Sequence, residues 1–271
     1  SNGGQLHGAN AGLYDLSALQ SVVISAFHGS WDADTVRGTA GSDQLLGSAG
    51  HDVIEGGDGD DTLAGDHYPV EWGYQDEWDY QSEGDDTLYG GLGHDWLWGE
   101  DGHDSLSGGD GHDYAHGGAG DDVIEGGDGD DVLVGDRDPD EWGNQSKGDD
   151  TLDGGLGHDW LSGGRGNDSV LAGDGNDTVD VTGLTWQSAA TLSGGAGLDV
   201  LSTVRWNEFG GWQDRGRVSD LSGSQLSGFE SLVGSGHVVL RAEQLADLAS
   251  VNLSNGGQLH GANAGLYDLS A

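Results

Sequence analysis

The sequence predicts an all-β protein, a parallel β-roll of short stacked coils continued by wider parallel β-solenoid coils. Three observations predict it. A nine-residue period runs in phase from Gly38 to Asp180 in thirteen copies, two of them enlarged by inserts. Within each copy the sixth residue is Asp and the eighth is Leu, Ile, Val or Ala, while glycine crowds the first four positions. The composition rules out an ordinary thick core, since only 34% of the residues are hydrophobic and 55 of 271 are glycine. A formal charge of −41, from 49 acidic and 8 basic residues, would also suit a disordered polyanion. Periodicity decides against disorder, because a solenoid needs only one apolar residue per short strand and a cation can neutralise the rest.

The first segment, 1–37, is expected to form calcium-independent solenoid coils around apolar clusters such as Leu13 to Ser25. The period then starts at Gly38 with GTAGSDQLL, GSAGHDVIE and GGDGDDTLA, and resumes at Gly90 and Gly154. The intervals are repeats themselves, enlarged by inserts at 68–83 and 138–147. Both inserts fall in even-numbered repeats and so project from one edge of the roll, three coils apart.

Each part of the nonapeptide has a physical reason. The glycines let the turn visit backbone conformations that a Cβ obstructs and let carbonyl groups converge. The aspartate adds a carboxylate to them. Calcium takes ~6 to 8 oxygen ligands, so carbonyls with one or two carboxylates make a fitting donor set. Residues seven to nine form a short strand with position eight pointing inward and positions seven and nine outward. Two nonapeptides complete one coil, so turns i and i+2 stack on the same edge.

The pattern GGxGxDxUx, with U a large aliphatic residue, resembles the repeats-in-toxin (RTX) motif, and it covers about half the chain. The resemblance implies a calcium-binding β-roll, export by a type I secretion system and folding outside the cell. The candidate calcium ligands are Asp43, Asp52, Asp61, Asp86, Asp95, Asp104, Asp113, Asp122, Asp131, Asp150, Asp159, Asp168 and Asp177, with Asp199 in a degenerate repeat, Leu192 to Leu201. Thirteen repeats allow about eleven turn-to-turn ions, which would bring the charge of −41 to about −19.

Beyond the roll, 181–253 reads as wider solenoid coils, with Trp206 to Arg217 on a protruding loop and a helical turn or two as an alternative at Glu243 to Ala249. Residues 254–271 repeat 1–18 without a change, and VNL at Val251 to Leu253 runs into them with no linker. The simplest reading is one 253-residue unit followed by the start of the next tandem copy; an engineered duplication is the alternative.

Several functions are disfavoured. The absence of cysteine removes disulfide scaffolds, thiolate zinc sites and cysteine nucleophiles, and the acidity argues against nucleic acid and anionic membrane surfaces. No apolar run reaches the ~18 residues of a membrane span. HExxH, GxSxG and P-loop motifs are missing, so no enzyme is expected. Histidines at position five (His51, His94, His103, His112, His158) read as solvated turn residues rather than a transition-metal site. Trp96, Trp98 and Trp160 occupy outward positions and are expected to be covered by the inserts through Trp72, Trp78 and Trp142, with lateral filament contact or sugar stacking as alternatives.

The sequence thus leads to a calcium-stabilised structural repeat of a long secreted or surface-attached fibre or adhesin, whose partners are further copies of itself. A calcium-dependent secretion and folding module of an exoenzyme or toxin is the runner-up, and glycan binding through exposed tryptophans the third reading.

Overall fold

A computed structural model describes residues 4–8, 11–18, 24–66, 84–136, 147–182, 189–203, 205–206, 212–213, 218–220, 224–240, 248–261 and 265–267. The interiors of both inserts, and with them Trp72, Trp78 and Trp142, lie outside these residues, as does most of Glu243–Ala249. Among the described residues there is no helix, and none therefore that is long and apolar enough to cross a membrane.

The chain winds into two facing sheets, of fourteen and twelve strands, and successive strands alternate between them from Gly4–His7 to Ser169–Leu171. Pairing is parallel throughout the roll. Ser105–Asp110 lies between Thr87–Leu92 and Val123–Asp128, and Tyr114–Ala119 lies between Trp96–Asp101 and Val132–Asp136. Each nonapeptide thus pairs with the one two places on, and two make a coil.

Seven strands of the roll are six residues long where three were expected. Val53–Asp58 covers positions seven to nine of one repeat and one to three of the next. The extension has a simple cause. Pairing sets glycine beside glycine in the neighbouring coil, as at Gly57↔Gly91 and Gly109↔Gly127, where no side chain interferes.

Alternation buries position eight. Ile54, Leu63, Leu88, Leu97, Leu106, Ile124, Leu133, Leu152 and Leu161 are at most 2% exposed and line a core only two columns wide. Such a residue contributes ~1.5–3 kcal/mol on burial. Coils are therefore held by one large apolar residue per strand plus the backbone ladder.

The flanks extend the same sheets. Leu13–Asp15 pairs with Thr35–Arg37 at one end, and Val200–Ser202, Ser231–Leu240 and Ser250–Gly261 follow one another at the other. The strand Ser250–Gly261 runs unbroken across the start of the duplicated segment at Ser254, as one continuous element. Within the expected protruding loop, Arg205–Trp206 pairs antiparallel with Trp212–Gln213 as a small ribbon separate from both sheets.

Candidate metal-binding edges

The turn around Asp113 represents the others. The first glycine of its repeat, Gly108, has no room for a Cβ, which would collide with Asp113 Oδ2 and stand 2.7 Å from the Gly126 carbonyl oxygen of the next coil. Gly109 adopts φ +115°, a left-handed conformation that a side chain disfavours. Both features turn oxygen atoms toward one another across the stacked turns.

Asp113 divides its carboxylate between two tasks. Oδ1 accepts the N–H of Asp95 in the preceding coil at 2.8 Å, and the N–H of Asp113 donates to Asp131 Oδ1 in the following one at 2.8 Å. Oδ2 is buried and accepts no hydrogen bond.

All thirteen sequence-predicted repeat aspartates, and Asp199, fall into two such ladders. One edge links Asp52, Asp86, Asp104, Asp122, Asp150 and Asp168; the other links Asp43, Asp61, Asp95, Asp113, Asp131, Asp159, Asp177 and Asp199. Every one is less than 9% exposed, and all but Asp43 have an Oδ2 that is buried and without a partner. A buried ion costs several kcal/mol after relaxation. That exceeds the contribution of one buried leucine per repeat, so this fold does not sustain its carboxylates as bare anions.

Electrostatics agree. Burial, with neighbouring aspartates adding to it, pushes Asp131 up to about 7 and Asp122 and Asp150 to about 8. A repeated buried oxygen without a hydrogen-bond donor, beside carbonyl groups and away from nitrogen or sulfur ligands, suits a hard cation such as calcium. No three His, Asp or Glu side chains among the described residues converge on one point, so such a cation would depend on backbone carbonyls together with one or two carboxylates.

The ladder is longer than the thirteen repeats counted in sequence. Asp34 is 3% exposed, and its N–H donates to Asp52 Oδ1 at 2.7 Å. It belongs to Gly29–Arg37, GSWDADTVR, which holds the same frame with Asp at six and Val at eight, inside the segment expected as calcium-independent coils. Phase was the available signal; missing glycines at positions two to four concealed it. At the opposite end Asp199 donates its N–H to Glu230 Oε2 at 2.7 Å, and no repeat pattern marks Glu230.

Position five forms a second ladder of opposite polarity. His112 donates its N–H to His94 Nδ1 at 2.7 Å, and Asp130 donates to His112 Nδ1 at 2.6 Å. His51, His103 and His158 likewise accept through Nδ1 from the next coil. These rings are exposed, as expected for turn residues, and the His94 and His112 rings stack with centroids 5.0 Å apart. Asp, Asn and His interchange here because each offers an acceptor to the N–H above.

Trp96 is 50% exposed and stacks on Tyr114 of the next coil at 5.0 Å and on Trp98 at 5.6 Å. Trp98 and Trp160 are half-buried. The three tryptophans share one outer sheet face, where Trp96 and Trp98 support each other directly.

Comparison with protein families adds an independent result. The RTX calcium-binding nonapeptide repeat matches in four copies, at residues 28–63, 80–115, 107–141 and 146–179. The first begins at His28, so it takes in the repeat of Asp34. No curated protein matches the chain. Parallel coils of two nonapeptides, an aspartate ladder along each turn edge and four copies of the family repeat agree: the chain belongs to the RTX calcium-binding repeat proteins.

Proposed function

We propose that this chain is a calcium-rigidified structural segment of a long extracellular or surface-attached array, and that its position-six aspartates are the ion ligands. The observation that carries this reading is the pairing of the duplicated segment. In the first copy Gln5–His7 pairs in parallel with Ala26–His28, which lies after it in the chain. In the second copy the same residues, Gln258–His260, pair in parallel with His237–Val239, which lies before them. A segment that takes a parallel neighbour from either direction supports the joining of one unit to the next. Here Gly265–Tyr267 folds back antiparallel on Leu259–Gly261, so continuation requires it to cross to the opposite sheet, where its first copy pairs through Leu13–Asp15 with Thr35–Arg37. The adhesive or fibrous role, the surface location and self-association in tandem all belong to this proposal.

The ion count follows from the ladders. They contain six turn-to-turn steps on one edge and seven on the other, so the calcium complement is about thirteen, two more than the repeats alone suggest. Calcium in the extracellular millimolar range would fold the roll, and its scarcity inside a cell would leave the chain unfolded for export.

The test combines flanking sequence with shape. Another copy of residues 38–180 beyond Ala271, and particles lengthening by roughly 60 Å per unit in calcium, are expected from ~4.8 Å per coil. A single copy attached to a catalytic domain would overturn the fibre reading in favour of a secretion module.

A further inference from the structure

The two insert-bearing repeats break the roll's own rule at position two. Ser30, Thr39, Ser48 and Glu100 also replace glycine there, but Ser48 and Glu100 keep the left-handed backbone, φ +88° and +80°, with side chains only partly buried, and Ser30 and Thr39 donate their own N–H to Oδ2 of the position-six aspartate of their repeat, Asp34 and Asp43. Asp66 and Asp136 are 3% and 5% exposed, and neither is among the described residues with positive φ. Asp136 holds its register opposite Gly118, yet ends its strand buried where the equivalent residue Gly127 is half-buried.

Each of these side chains uses one oxygen and leaves the other unsatisfied. Asp66 Oδ2 accepts the N–H of Gly84, beyond the insert, at 3.2 Å, and Asp136 Oδ2 accepts the N–H of Arg165, one coil on, at 2.6 Å. Asp66 Oδ1 and Asp136 Oδ1 are buried with no hydrogen-bond partner, as are Oδ2 of Asp86, Asp104, Asp150 and Asp168 beside them. The charges interact as neighbours: Asp66 with Asp86 and Asp104, and Asp136 with Asp150 and Asp168.

We infer that Asp66 and Asp136 create a second, more anionic class of calcium site, in which a position-two carboxylate is paired with one position-six carboxylate, Asp66 with Asp86 and Asp136 with Asp150, beside backbone carbonyls, and joins the two ends of each insert. The inference rests on calcium binding along the ladders. Asp66 precedes and Asp86 follows the insert at 68–83, and Asp136 and Asp150 flank 138–147 in the same way. An ion touching both carboxylates joins the residues that flank the insert. Calcium affinity rises with the number of ligand charges, so these sites fill before the ordinary turns. Arg165 offsets part of the charge at Asp136, which makes the Asp66 site the tighter of the two.

The experiment uses the whole chain and calcium alone. Asp66→Gly and Asp136→Gly restore the glycine of the repeat, and Asp66→Asn keeps side-chain shape while removing the charge. Calcium is titrated against a competing chelator, and proteolysis of the inserts is followed at each concentration, with trypsin at Arg137 and Lys147 and chymotrypsin within 68–83. In the wild type, two sites should fill first and protect both inserts. Asp66→Gly and Asp66→Asn should each weaken one of those two by about tenfold or more and move protection of 68–83 alone to higher calcium. Asp136→Gly should do the same for 138–147. If the restored glycines leave both the tight sites and the protection midpoints unchanged while the remaining ions still bind, this inference fails and the ladder reading stands. If the wild type binds no calcium, both fail.

Discussion

Asp95 donates its backbone N–H to Asp113 Oδ1 at 2.8 Å, one coil away, and in doing so leaves Asp113 Oδ2 buried without a partner. One side chain thereby joins two coils and presents a bare oxygen to the gap between turns. Since its own N–H bonds Asp131, Asp113 takes part in two gaps.

Asp113→Ala should therefore remove up to two ions rather than one, by equilibrium dialysis against wild type. Asp113→Asn retains an acceptor for Asp95 and should keep more of the fold while losing the same ions. Unchanged stoichiometry and affinity in both variants would count against sharing between coils.

Chelation and pH should act on the same carboxylates. Burial raises Asp61 and Asp104 to about 7 and Asp86 to about 8 in the metal-free roll, against ~3.9 for an unfolded chain. Between about pH 4 and pH 8 the metal-free fold then binds more protons than the unfolded chain, so its stability falls as pH rises through that window. With EGTA, far-UV CD should show more β-structure at pH 5 than at pH 8. With millimolar calcium the fold should persist at pH 8, where ions replace the protons. A chelated chain with full β-structure at pH 8 would sink the calcium dependence.

The strained positions offer a gain. Glu100, at φ +80°, and Ser48, at φ +88°, occupy a conformation that costs a non-glycine residue about 1 kcal/mol or more. Glu100→Gly and Ser48→Gly should each raise the thermal midpoint of the calcium-loaded protein. Lower midpoints would mean that these side chains hold the fold in some other way.

The position-five ladder should follow acceptor chemistry rather than the identity of histidine. His112→Asn retains an acceptor for the Asp130 N–H and should be nearly neutral. His112→Ala should lose ~0.5–1.5 kcal/mol by chemical denaturation in calcium. Equal losses in the two variants would point to ring stacking with His94 instead.

How much was legible in advance follows from range. Nonapeptide phase determined the two-repeat coil, the inward Leu or Ile at position eight and the aspartates at position six. Steric rules within nine residues enforce those features, and Leu88 or Asp113 can be placed from a few neighbours. The tertiary structure decided the rest, because stacking unites residues eighteen or more apart. It brought Asp34 and Glu230 into the ladders, lengthened the strands through glycine packed on glycine, and gave the histidines acceptor roles. It also distinguished Asp66 and Asp136 from Glu100. All three replace the same glycine in sequence, but only the two beside an insert turn inward, where a buried carboxylate oxygen without a donor marks a place for a cation.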